Sequence, residues 1–219
     1  MDRIISQSRK AGRLAGDCLR RWGYQSAAAL HLPGFLKRYW DSRAQDIDHV
    51  WGRAQDDYAV LRRIIEEIAP RRVLDIGCGS GRLFPLYLQF QLEEIVGQDI
   101  SSKALDLARR RFSSPSISLT DLPLLQLDYS AGHFDLVISN RVLQHIPDNQ
   151  IQHITAKLAK LGKSIYLNET MISDPARETF YLFKHDYRQL LARCGLAVVR
   201  QGMVGGQHWF LFGRESNPM

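Results

Sequence analysis

Short, almost uniformly apolar runs alternate along this chain with longer stretches whose apolar positions recur every three or four residues. The runs at 73–76, 94–100, 117–119, 134–139 and 164–170 read as strands buried on both faces. Between the first helical stretch and the first strand stands a clear stop: 53–69 places Tyr58, Leu61, Ile64, Ile65 and Ile68 on one face and ends at Pro70. Further helices are predicted at 83–90, with Pro85 in the first turn, and at 102–112 behind a Ser101 or Ser102 cap. Two more fall at 151–161 and at 186–194, the last closed by Gly195. Strand then helix, repeated, is the pattern of a parallel sheet covered on both faces.

The rhythm changes at both ends. Residues 196–201 and 208–214 read as strands separated by Met203, Val204, Gly205 and Gly206, a connection too tight for a helical crossover, so this pair must be antiparallel. Near the start, Ile4, Ala11, Ala15, Cys18 and Trp22 follow helical spacing among arginines. Gly12 and Gly16 weaken that helix by about 1 kcal/mol each relative to alanine.

Chemistry enters where the first strand stops. Asp75, Gly77, Gly79 and Gly81 spell D-x-G-x-G-x-G ahead of a predicted helix, and glycines at such a turn let a ligand approach the backbone. A dinucleotide loop reads G-x-G-x-x-G, so the third glycine comes one position too early for NAD, and the added carboxylate points to a cationic ligand. The 94–100 strand ends in Asp99, an acid able to accept from both hydroxyls of a ribose diol. The segment from Val73 to Gly81 resembles the first motif of the class I S-adenosylmethionine-dependent methyltransferases. Segments 117–123, 134–140 and 142–147 follow in the order of that family, and the resemblance covers about 39–213, strongest over 73–147.

The resemblance implies a doubly wound, Rossmann-like, seven-stranded and mostly parallel α/β sheet in the order 3-2-1-4-5-7-6, with a reversed strand at the edge and an N-terminal helical extension. It implies S-adenosyl-L-methionine as cofactor, held by Asp75, Gly77, Cys78, Gly79, Gly81, Asp99, Ile100, Asp121, Leu122, Asn140 and Tyr39. Asp121 corresponds to the family's adenine-contacting acid, Asn140 to a strand-tip group for the cofactor's ammonium, and Tyr39 to an aromatic-acid-x-Arg-Ala lid over 39–44. Asn140-Arg141-Val142-Leu143 lacks the prolines and aromatic of an Asn-Pro-Pro-Tyr motif that DNA and glutamine N-methyltransferases carry there. His145 is the candidate catalytic base, with a turn-forming hydrogen bond as its plainer role. Glu169, Tyr181, His185 and Tyr187 are candidates for the acceptor pocket, and Trp40 and Trp51 for aromatic contact with a sulfonium. Arg109, Arg110 and Arg111 read as a solvated helix end.

Composition narrows the class. At 219 residues, 45% hydrophobic and 24% charged, one soluble catalytic domain is expected over 41–215, after a basic helical extension or lid at 1–40. No apolar run reaches the roughly 18 residues of a spanning helix and no signal-peptide core is evident. Cys18, Cys78 and Cys194 are widely spaced without C-x-x-C, which indicates neither disulfides nor a metal site and fits the cytoplasm. The formal charge of +6 lies wholly in residues 1–40, which argues against a nucleic-acid groove over the catalytic domain. That leaves the arm three readings: a helix on the domain, a transit peptide, or peripheral membrane contact through 1–30. The sequence reading is a methyltransferase acting at oxygen or nitrogen of a small or lipid-like molecule. Its rivals are an RNA-modifying methyltransferase and a non-catalytic cofactor-binding partner subunit.

Overall fold

The computed structural model describes residues 23, 26, 34–51, 57–171 and 182–214. Seven strands form one sheet: β1 (Arg72–Ile76), β2 (Glu94–Gln98), β3 (Ile117–Thr120), β4 (Phe134–Asn140), β5 (Gly162–Glu169), β6 (Ala197–Val204) and β7 (Gln207–Gly213). Their order is β3-β2-β1-β4-β5-β7-β6, as the resemblance implied. Strands β1 to β5 pair in parallel, and β7 runs antiparallel to both β5 and β6 at that end of the sheet. Gly205 and Gly206, at φ +57° and +75°, supply the left-handed turn that a two-residue hairpin demands.

Successive strand residues serve opposite faces, so the uniformly apolar runs feed two separate cores. Val73, Leu136, Ile138 and Tyr166 pack with α2 (Tyr58–Ile68), α3 (Phe84–Tyr87) and α4 (Ser102–Arg111) through Leu61, Ile65, Phe84 and Leu105. Leu74, Val137, Ile165 and Phe212 pack on the other face with α5 (Asp148–Leu161) and α6 (Tyr187–Ala192) through Ile154, Leu158 and Leu191. Ser101 caps α4 by accepting from the Ala104 amide, as its position predicted. The element at 83–90 contracts to the four residues of α3, and α5 starts a turn earlier than its apolar pattern because Pro147 presets the backbone ahead of Asp148.

The N-terminal side differs most from expectation. Helix α1 (Phe35–Trp51) runs through residue 40 without interruption, so a division at 40 falls inside one helix. It packs against α4 and lies over the carboxyl ends of the strands. The arm at 1–30 lies outside the described residues apart from Gly23 and Ser26.

Candidate active site

Strand order reverses between β1 and β4, and the carboxyl ends of strands at such a switch point form the crevice where doubly wound folds bind ligands. A cavity of about 490 Å³ opens there. Its floor is the glycine loop after β1, the Asp99 turn after β2 and the Asn140–Ile146 loop after β4, and its roof is α1.

Each glycine of the loop has its own reason. Gly77, Gly79 and Gly81 sit at φ +61°, +56° and +82°, a region side chains rarely enter. A Cβ on Gly77 would collide with the Val142 side chain, and one on Gly81 would strike Phe84 and Phe112. A Cβ on Gly79 would meet nothing within 4 Å, since that residue faces the cavity. The loop is tied to β2 by the Cys78 amide, which donates to the Gln98 carbonyl at 3.0 Å, and Cys78 is buried packing with its thiol pushed up by burial. Asp99 accepts from the Gly79 amide at 2.9 Å and the Ser101 amide at 2.8 Å, and lines the cavity with acceptor capacity left over.

Beneath this floor lies a buried polar cluster. Asp75 does not line the cavity: it is 2% exposed, its carboxyl pushed up to about 7 by burial against the opposing charge of Arg82. Arg82 does line it, and forms a two-pronged ion pair with Asp57 at 2.8 and 3.1 Å. Burial works against the Asp57 anion, yet Arg82 and the Asn140 amide hold its carboxyl below the ordinary value. Asn140 spends its Nδ2 on Asp57, and its buried Oδ1 has no partner among the described residues.

Helix α1 is stitched down from above by residues 37, 41 and 48, a single stripe at four- and seven-residue spacing. Lys37 donates to the Ile100 carbonyl, Ser102 and Asp121; Asp41 accepts from Ser101 and the Lys103 amide; Asp48 accepts from Ser80 and Arg111. Arg109, Arg110 and Arg111 are exposed at the end of α4, as their charge run suggests, and Arg111 in addition clamps α4 to α1 through Asp48. Tyr39, Trp40, Arg43 and Ile47 of α1 face the cavity, and the Trp40 ring lies 4.8 Å from that of His145. The side chain of Trp51 lies outside the described set.

The cavity wall thus brings together Gly77, Cys78, Gly79, Asp99, Ile100, Asn140, Tyr39 and His145. Gly81 shapes the loop from behind. Asp121 and Leu122 stand off the wall: Asp121 is engaged by Lys37 and Ser102, and Leu122 is 47% exposed, while the following Pro123 and Leu124 take the wall position. Three acceptor-pocket candidates also stand elsewhere. Glu169 is wholly buried under the Asn140–Ile146 loop, His185 bonds the Ile146 carbonyl at 2.8 Å, and Tyr187 belongs to the core; Tyr181 lies outside the described residues. Sequence reading missed Asp57, Arg82 and Asp48: Arg82 stands as a lone charge before an apolar run, but Asp57 follows Asp56 and Asp48 sits between Asp46 and His49, so neither stands out.

Comparison with known proteins agrees with this architecture. Residues 73–164 match a family model described as a methyltransferase domain. The chain is 28% identical over 131 residues to a ubiquinone biosynthesis O-methyltransferase of Bordetella avium, covering 58% of this chain and 54% of that one. It is 30% identical over 113 residues to a malonyl-[acyl-carrier protein] O-methyltransferase of Legionella pneumophila, covering 45% and 40%. The chain spans between 40% and 61% of the length of the first curated relatives it matches. Among solved structures, magnesium protoporphyrin IX methyltransferase from Synechocystis PCC 6803 with bound SAH superposes with a TM-score of 0.69 at 20% identity, over 82% of this chain and 98% of that one. A Burkholderia thailandensis 1,6-didemethyltoxoflavin-N1-methyltransferase gives 0.66 at 18% identity, over 83% and 88%. At those identities the likeness speaks for the fold, and the sequence match to the methyltransferase model speaks for the lineage. Residues 73–164 thus carry a match to a methyltransferase domain, on a fold shared with solved methyltransferases.

Proposed function

We propose that this protein transfers the methyl group of S-adenosyl-L-methionine to an oxygen or nitrogen of a small or lipid-like molecule. The observation that carries this reading is the joint exposure of Gly79, Asp99 and Asn140 in one roofed cavity. The residues suit the cofactor. Open space over Gly79 admits its body, Asp99 can accept from the ribose diol, and the orphaned Asn140 Oδ1 can accept from the ammonium. When bound, the cofactor supplies a methyl group on a positively charged sulfur.

The chain's own part is to hold and align. Alignment of two reactants near contact can supply about 7–11 kcal/mol of a barrier, and α1 with Tyr39 and Trp40 roofs part of the cavity. On methylation an oxygen or nitrogen acceptor would have to shed a proton. His145, on the wall beside Trp40, is the group proposed to take it. Similar proteins named as O- and N1-methyltransferases support both kinds of acceptor atom.

Calorimetric titration with S-adenosylmethionine, S-adenosylhomocysteine and NAD tests the cofactor. Micromolar binding of the first two is expected, with loss in Asp99→Ala, since a charged acceptor for two hydroxyls is removed. Binding of NAD in their place would overturn the reading. An acceptor screen of phenols, amines and lipids then follows.

A further inference from the structure

Glu169 ends β5 at 0% exposure, and among the described residues no cation pairs with it. Its charge is met by donors alone. Oε1 accepts from Ser139 Oγ at 2.7 Å, from the Val142 amide at 3.0 Å and from the Leu143 amide at 3.1 Å, and Oε2 accepts from the Gln144 amide at 3.2 Å. The three consecutive amides open the short helical turn Leu143–His145, where backbone donors have no partner of their own. They belong to the loop whose Asn140, Arg141, Gln144 and His145 wall the cavity.

That loop is strained. Arg141 holds φ +61°, where residues other than glycine persist only if their surroundings fix them. The side chains add a second tie: Gln144 Oε1 accepts from Thr170 Oγ1 at 2.7 Å and from Gln207, which in turn accepts from Arg141 Nε. Burial pushes the Glu169 carboxyl up and these four donors oppose it by favouring the anion, whereas an amide in its place would turn one of its own hydrogens toward a donor.

We propose that Glu169 is a positioning residue for methyl transfer: without touching the cavity, its carboxylate sets the 140–145 loop so that Asn140 meets the cofactor's amino-acid tail and His145 meets the acceptor. The inference rests on the methyltransferase reading. It predicts an effect confined to what the loop contacts, which a general loss of stability would not produce.

The test compares S-adenosylhomocysteine with 5′-methylthioadenosine, which keeps the adenosine and sulfur and lacks the amino-acid tail, on wild type and Glu169→Gln. The variant is expected to weaken S-adenosylhomocysteine about tenfold, the scale of one charged hydrogen bond, and methylthioadenosine less than about twofold. An unchanged ratio between the two ligands would overturn the proposal. If Glu169→Gln does not fold, Ser139→Ala removes one donor only and should lower the same ratio about threefold. A readout free of the cofactor is the His145 ring resonance, assigned by comparison with His145→Gln: it should shift in Glu169→Gln, and an unmoved resonance contradicts the proposal. Should wild type bind neither nucleoside, the methyltransferase reading fails, and the His145 resonance alone decides whether Glu169 sets the loop.

Discussion

Gly77 and Gly79 share a left-handed backbone and differ in what surrounds them, so the same substitution should separate stability from binding. Alanine at either site carries left-handed strain of about 1–2 kcal/mol. Gly77→Ala adds a collision with Val142 worth about 1–3 kcal/mol more, at roughly 2–4 °C per kcal/mol for a domain of this size. Gly79→Ala projects a methyl into the cavity, so melting curves should show the smaller loss while titration shows the larger fall in S-adenosylhomocysteine affinity. Equal affinity losses at both sites would contradict this division of labour. Asp75 makes a second residue-level prediction, through pH. Its folded value of about 7 lies above the unfolded value near 3.9, so between the two the folded chain keeps a proton that the unfolded chain has released. Stability from this group therefore falls as pH rises from about 4 to 7 and is level above. Asp75→Asn should raise the melting temperature relative to wild type more at pH 8 than at pH 5; an equal change at both would rule this out. The glycines and Asp99 were legible because their chemistry is written in adjacent residues. Asp121 was legible as an acid at a strand end, but nothing nearby in sequence announces that Lys37, 84 positions away, engages it.

At the scale of elements, α1 shows where pattern reading stops. Its aromatic-acid-x-Arg-Ala stretch marked a lid, yet the bonds that hold it join residues 32 to 84 positions apart and leave no periodic trace. Asp48 gives the strongest test, since it accepts from both the glycine loop and the end of α4. The Asp48–Arg111 pair is partly open to solvent, and such pairs are worth up to about 1 kcal/mol, or roughly fivefold in a rate. Stopped-flow measurement should find S-adenosylhomocysteine leaving Asp48→Asn several-fold faster than wild type. Raising salt should speed wild type toward the variant and change the variant little. A dissociation rate indifferent to both would mean that α1 does not gate the cavity. The strands were more legible than the helices because burial on both faces leaves a run of apolar residues that a half-exposed helix does not.

At the scale of the molecule, the charge asymmetry sets a prediction independent of the cavity. All of the formal +6 resides in residues 1–40, and among the described residues no helix is long and apolar enough to cross a membrane. Full-length protein is expected to co-sediment with phosphatidylglycerol-containing vesicles at low salt, to release at high salt, and to lose binding when 1–30 are deleted. Binding that survives the deletion would move the contact elsewhere. The sheet order was readable only through resemblance, since apolar runs name strands and not their neighbours. That order has a consequence for how the chain is made. β7 lies between β5 and β6, so β6, although synthesised first, has no strand to join until Gln207–Gly213 has followed it. A stop codon ahead of residue 207 would therefore delete one strand and strand another, and a nascent chain on the ribosome must carry an open sheet edge until its last strand has emerged.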